Sequence, residues 1–195
     1  SSNAVISGNT NFEELIVTKG SLNTTLTISS AITVTNGGSL LMNSGLITIP
    51  ASGSFSVNPS SAIAIPALAG FDITGGTLST GNFTISNRGL IRISSGTANF
   101  GTNSGNSVET LVDGVFQVSG TSSVNIAGRL ENSAAGTLSP LGLTSGINIS
   151  GGTVTLSKVG NGLNSVGSLN VTSAGNFNLT GGTIVFQKES SATTA

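Results

Sequence analysis

Carboxylates and arginines are the side chains in the middle of this sequence that could do acid–base or ionic chemistry. The chain has no His and no Cys, which excludes the commonest general base, the commonest side-chain metal ligand and any thiolate nucleophile. A Ser-His-Asp triad cannot form either. The candidate residues for a shallow saccharide groove are therefore Asp72, Arg88, Arg92, Glu109, Asp113, Arg129 and Glu131.

The spacing of these charges decides whether they could act together. If the chain coils with a period of about 22–24 residues, Asp72 can approach Arg92, and Asp113 can approach Arg129, in neighbouring coils. Glycoside hydrolysis needs two carboxylates at a fixed separation, and scattered acids do not establish one. Solvated surface charges explain the same residues, with little stabilisation from each pair. We therefore predict no catalytic residue, no metal site, no cofactor and no enzyme activity.

The overall charge also limits the partners. Charged residues make up 7% of the chain and the net charge is −1. Phosphate recognition needs clustered Lys and Arg, and the six cationic residues here are scattered, so we expect no nucleic acid partner. The sequence contains no apolar run of transmembrane length, so we expect no membrane insertion.

Apolar residues positioned two apart recur about every eight residues, and this pattern predicts the elements that carry the charges. An alternation with period two indicates strands with one buried face. The step between pairs predicts strands of about 4–5 residues, each followed by a tight turn. The clearest pairs are Leu40/Met42, Ile47/Ile49, Phe55/Val57, Ile63/Ile65 and Phe71/Ile73.

Three such steps make one coil, which predicts an all-β fold. The fold class that we expect is a single-stranded, right-handed parallel β-helix, or β-solenoid, with three short strands per coil. An antiparallel β-sandwich is the structural alternative, because its strands also alternate. A sandwich usually has longer strands and a buried Trp or Tyr, and the chain contains neither residue type.

The domain organisation follows from where the pairs begin and end. We predict an N-terminal cap or first coil over 5–25, the β-solenoid over 26–187 and a frayed polar tail over 188–195. The polar stretch 101–110 has no apolar pair, and we predict a longer loop there. Residues 1–4 resemble the remnant of a cleaved expression tag, and we expect them to add nothing to the fold.

The segments 26–40, 147–156 and 177–186 combine the apolar pairs with many Ser, Thr and Gly residues. They resemble the Ser/Thr/Gly-rich repeats of bacterial surface and adhesin β-helices, as found in autotransporter passengers and in large proteins exported by type IX secretion. The resemblance covers about residues 15 to 187. It implies a structural or adhesive segment of an exported cell-surface protein, as part of a longer chain, with cell-surface glycans or other surface proteins as partners. A module that binds or degrades polysaccharide is the alternative function.

A regular array of threonines would favour a third function, binding to ice or another ordered surface. The motif Thr-x-Thr occurs at Thr25/Thr27, Thr33/Thr35 and Thr153/Thr155. The first two motifs are too close in sequence to lie in neighbouring coils, and the coils between the second and the third lack the motif. β-Branched residues at exposed strand positions explain the three motifs, so we do not expect such a face.

Overall fold

The computed structural model describes residues 2–134, 142–156, 168–172 and 175–187, and these form strands and no helix. The described strands pair in parallel with one another. In chain order they are β1 (Ala4–Ile6), β2 (Thr10–Thr18), β3 (Thr25–Ile28), β4 (Ala31–Ile49), β5 (Ser54–Pro59), β6 (Ile63–Ile65), β7 (Ala69–Thr80), β8 (Ile85–Asn87), β9 (Leu90–Phe100), β10 (Val108–Thr110), β11 (Val115–Val118), β12 (Ser123–Ile126), β13 (Leu130–Asn132), β14 (Gly146–Leu156), β15 (Leu169–Val171) and β16 (Phe177–Phe186).

The strands wrap into a parallel β-helix whose coils have three faces, which confirms the predicted three strand segments per coil. The first face contains residues 4–6, 25–28, 46–49, 70–73, 90–93, 115–118, 146–149 and 177–179. The second face contains residues 10–12, 31–34, 54–57, 77–80, 97–100, 123–126, 153–156 and 183–186. The third face contains residues 15–17, 40–42, 63–65, 85–87, 108–110, 130–132 and 169–171. The right-handed sense of the coil stays a prediction, based on the preference of parallel crossover connections.

The strands are longer than predicted, because several of them continue around a corner of the coil. β4 has 19 residues and β7 has 12, and each contributes to more than one face. Register shifts mark the bends within these strands, for example between Ile73 and Thr74 of β7. A local irregularity lets the chain change direction while the coils on either side stay hydrogen-bonded to each other.

The interior of the coil is filled by the predicted apolar pairs. Side chains alternate inward and outward along each strand segment, so residues two apart share the core. Each of the five pairs that define the pattern is buried, and most of these side chains have no exposed surface. Phenylalanine rings from neighbouring coils contact each other, with centroids 6.4 Å apart for Phe55 and Phe71 and 6.2 Å apart for Phe100 and Phe116.

Two predictions about the boundaries are wrong in detail. Ala4 lies in β1 and pairs with Leu26, and Asn3 Oδ1 accepts a hydrogen bond from the Thr25 amide, so the first residues do contribute to the fold. Within 101–110, Val108–Thr110 is a strand and not part of a loop, because Val108 is fully buried between β8 and β13. The segment 5–25 forms strands that pair with the next coil. The predicted tail at 188–195 lies outside the described residues.

Candidate functional site

Asp72 and Arg92 form an ion pair on the outside of the first face. They are direct register partners in β7 and β9, which confirms their predicted approach, although they are closer in sequence than the predicted coil length. Arg92 donates from Nε to Asp72 Oδ1 at 2.9 Å and from Nη2 to Oδ2 at 2.7 Å. The hydrogen bond with Asp72, helped by its negative charge and opposed by partial burial, raises the pKa of the Arg92 guanidinium. Both oxygens of Asp72 are occupied, so this pair has a structural role and offers no free carboxylate.

The predicted approach of Asp113 and Arg129 is wrong. Arg129 pairs instead with Glu131, and its Nη2 lies 3.0 Å from Glu131 Oε1. Residues two apart along an extended strand point to the same side, so Arg129 and Glu131 share the outside of the third face. Asp113 lies in the turn before β11, and Arg88 is exposed in the turn between β8 and β9. Neither Asp113 nor Arg88 belongs to an ion pair within the described ranges.

Glu109 and Glu131 are the carboxylates that the fold brings side by side. They are direct register partners in β10 and β13, and strands in a sheet lie about 4.8 Å apart. Ser86 Oγ, in the preceding strand β8, donates a hydrogen bond to Glu109 Oε2 with a length of 3.3 Å. Asn170 Nδ2, in the following strand β15, donates one to Glu131 Oε2, also with a length of 3.3 Å. We call these four residues the carboxylate row: Ser86, Glu109, Glu131 and Asn170.

A small pocket of about 100 Å³ opens beside the carboxylate row. Glu109, Glu131 and Asn170 line one part of it, and the corner residues that follow these strands line the rest. Glu131 Oε1 is buried and accepts no well-formed hydrogen bond, so its contact with Arg129 is mainly electrostatic. Two of the predicted acids therefore line a concave position and Arg129 pairs with one of them, Glu131, whereas the other predicted residues lie elsewhere. These are Asp72, Arg88, Arg92 and Asp113.

The chemistry available at this position is hydrogen bonding by carboxylates. Two carboxylates and one guanidinium give a local charge of −1, so the row favours neutral or cationic hydroxyl-bearing groups over acidic ones. Within the described part of the chain, no group of three His, Cys, Asp or Glu side chains is arranged to hold a metal ion. The pocket is also smaller than the several hundred Å³ typical of small-molecule sites, so it fits one sugar unit at most.

Larger depressions lie away from the carboxylate row. One of about 260 Å³ on the first face is lined by uncharged residues that include Gln117 and Asn148. Another of about 340 Å³ is lined by uncharged residues that include Asn82. A third of about 410 Å³ lies near Glu13, next to a corner of the coil. None of these depressions is lined by two carboxylates, so the carboxylate row is the candidate site that its chemistry favours.

The sequence contains a signal for the pairing of Glu109 with Glu131. Glu131 follows Glu109 by 22 residues, which is the predicted length of a coil. The contributions of Ser86 and Asn170 could not be found by searching for charges, because both side chains are neutral. Only their position in the register could identify them, because each occupies the outward middle position of a three-residue strand on the third face.

Comparisons of the chain with protein-family models, with curated proteins and with solved structures found no match. Among the described residues, no helix has the length and apolar character needed to cross a membrane. The fold therefore defines the class of this protein as a parallel β-helix.

Proposed function

We propose that this chain is a structural and adhesive segment of an exported bacterial cell-surface protein, where it acts as a stiff scaffold with a binding surface. The observation that supports this most is the continuous register of the second face, in which each strand segment from β2 to β16 stacks on the next. Every coil is hydrogen-bonded to its neighbours over an apolar interior, so bending the rod would break many contacts at once.

The outside of the rod supports a display role more than a catalytic one. Few charges are present, and the ion pair of Asp72 and Arg92 is fully engaged. Resistance to proteases follows from strand segments whose backbone groups are hydrogen-bonded on both sides, because cleavage requires local unfolding. A scaffold that projects binding surfaces away from a cell needs both properties.

Limited proteolysis with an enzyme of broad specificity tests the scaffold. We expect the coils between residues 4 and 134 to stay intact for many times longer than the same chain unfolded in denaturant and then diluted into the protease. Mass spectrometry of the fragments would locate the cuts. Rapid cleavage inside the central strands β7, β9 and β11 would contradict a stiff scaffold.

A second candidate function, glycan binding at the carboxylate row, is favoured by the pairing of Glu109 with Glu131. Paired carboxylates and neighbouring amide and hydroxyl groups are suited to hydrogen-bond sugar hydroxyls. The local charge of −1 favours neutral or amino sugars and disfavours uronic acids. Because the pocket holds about 100 Å³, we propose binding of one sugar unit without cleavage of the glycan.

A glycan array, followed by calorimetry on the strongest ligands, tests this second function. We expect binding of neutral or amino-sugar glycans that is reduced at least tenfold by Glu109→Gln or Glu131→Gln. Asp113→Asn is the matched control, because it removes one carboxylate from a turn outside the row. Equal loss in the control, or preferential binding of uronic acids, would contradict a site at the carboxylate row, and release of reducing ends would contradict binding without cleavage.

A further inference from the structure

The second face presents two parallel rows of small hydroxyl and amide side chains on its outer surface. Within each row, neighbouring residues are direct register partners in adjacent strands. The second row lies two residues further along each strand than the first. We call these rows together the neutral face. The first row contains Ser54, Thr77, Thr97, Ser123 and Thr153, and the second contains Ser56, Ser79, Asn99, Asn125 and Thr155.

The register places threonines of two Thr-x-Thr motifs in these rows. Thr153 and Thr155 belong to the neutral face, and Thr33 continues its second row beyond Ser56. The coils between them lack Thr-x-Thr but keep the same two positions polar with Ser, Thr or Asn. The intervening coils therefore lack the threonine motif, as predicted, but a mixed array of Ser, Thr and Asn is in register over five consecutive coils.

The neutral face is ordered and uncharged, and a depression of about 340 Å³ opens beside its second row at Ser56 and Ser79. Strands about 4.8 Å apart and residues two apart along a strand place its groups on a grid of about 5 by 7 Å that extends for about 20 Å. Asn125 Nδ2 donates to Asn99 Oδ1 at 2.9 Å, which restrains two of the side chains. None of the strand segments that form the second face contains Lys, Arg, Asp or Glu among the described residues, so the charges whose positions are described lie on the other faces and in the turns.

We infer that the neutral face binds the surface of ice. An ordered lattice of water is uncharged, presents donors and acceptors at a spacing close to the separation of strands, and is matched by a rigid array of hydroxyl, amide and methyl groups. A crystalline polysaccharide would also present a regular lattice, but sugar rings favour aromatic platforms. The neutral face has no outward aromatic side chain, because Phe55 and Phe100 on the same strands point into the core.

Partition of the protein into slowly growing ice tests this inference. We expect the chain to be enriched in the ice fraction at least several-fold over an unrelated soluble protein of similar size. Ser123→Lys places a bulky charge in the middle of the neutral face at an exposed position, and it should abolish the enrichment. Ala64→Lys is the matched control, because it adds the same side chain at an exposed outward position on the third face.

The outcomes separate the possible occupants of the neutral face. Thermal melting of both variants must first match the parent chain, which keeps a loss of binding distinct from a loss of folding. Exclusion of the parent chain from ice, or equal enrichment of Ser123→Lys, would overturn the inference. Binding to crystalline cellulose or chitin that Ser123→Lys abolishes, without enrichment in ice, would assign the neutral face to a polysaccharide lattice instead. Glycan binding at the carboxylate row is tested by different variants, so either function can fail alone.

Discussion

At the scale of single residues, the carboxylate of Asp72 depends on one partner. Asp72 is 6% exposed and Arg92 supplies both of its hydrogen bonds from a side chain, so removal of Arg92 leaves a buried charge without compensation. We expect Arg92→Leu to lower the free energy of unfolding by about 1–2 kcal/mol, the lower part of the range for such losses, because Arg92 is partly exposed to solvent. Chemical denaturation of the parent and the variant measures this difference.

The double variant Asp72→Thr/Arg92→Gln is the control for this pair. The same outward row has Thr48 before Asp72 and Gln117 after Arg92, so the substitutions extend the neutral residues already present. We expect the double variant to recover most of the stability lost by Arg92→Leu. Because the pKa of Arg92 is raised, the contribution of its charge is fully present at neutral pH and falls as strongly alkaline pH rises through that raised value. Equal stability of Arg92→Leu and the parent would contradict this account.

Thr110 carries a buried hydroxyl that has no hydrogen-bond partner among the described residues. Its register neighbours Asn87 and Asn132 are also buried, but each amide has partners at its own corner of the coil. Substitution Thr110→Val keeps the shape of the side chain and removes the unpaired group. We expect the free energy of unfolding to rise by about 1 kcal/mol, measured by denaturation.

Asn132→Val is the comparison for Thr110→Val. This variant removes the hydrogen bond that Asn132 Nδ2 donates to Asn176 O and the one that Asn132 Oδ1 accepts from the Ala134 amide. It should therefore lower the free energy of unfolding. Opposite signs for the two valine variants would support the assignment of Thr110 as an unsatisfied position. A loss of stability in both would show that the Thr110 hydroxyl has a partner.

At the scale of the elements, the corners of the coil impose the tightest steric limits. Gly96 has φ of +83° and lies between the first-face and second-face parts of β9, where an added Cβ would be 2.3 Å from Gly76 O of the preceding coil. Gly37 has nearly the same φ of +84°, but an added Cβ there would meet nothing within 4 Å. The two glycines therefore share a backbone conformation and differ in the space around them.

Alanine substitutions at these two corners separate conformational strain from close packing. We expect Gly37→Ala to lower the free energy of unfolding by about 1–2 kcal/mol through the left-handed backbone alone. Gly96→Ala adds a clash with the backbone of the preceding coil and should cost clearly more, enough to lower the melting temperature by several degrees beyond Gly37→Ala. Equal costs would show that the coils can separate to admit a methyl group.

The element scale also shows how far the sequence predicts this fold. The period of two in pairs such as Phe71 and Ile73 predicted the inward side chains correctly. Alternation between inward and outward side chains is a property of each strand by itself, so it can be read from a short stretch of sequence. The coil length was less predictable, because turns at the corners vary while the register is kept. Asp72 and Arg92 are partners 20 residues apart, whereas Asn148 and Asn178 are partners 30 apart. A fixed period of about 22–24 residues therefore pairs Glu109 with Glu131 but does not predict the shorter and longer coils.

At the scale of the whole molecule, the stability of each coil comes from the coils on either side of it. Core residues of the first coil, such as Ile6 and Phe12, are only partly buried, and so are Phe177 and Ile184 in β16. Residues in the middle, such as Ile91 and Phe116, have no exposed surface. In a linear array of this kind, opening can begin at an end at low cost and propagate, whereas opening in the middle must break two interfaces.

Hydrogen exchange of this 195-residue chain tests the gradient in stability. We expect amides of β7, β9 and β11 to exchange most slowly, and amides of β1 and β16 to exchange at least tenfold faster, although every one of these strands is paired. Phe100→Leu is the informative variant, because it removes a ring contact with Phe116 between two central coils and should accelerate exchange there without changing the rates of β1. Uniform slow exchange that responds to Phe100→Leu at every strand would instead indicate that the whole rod unfolds in one cooperative step, with its ends as strongly held as its centre.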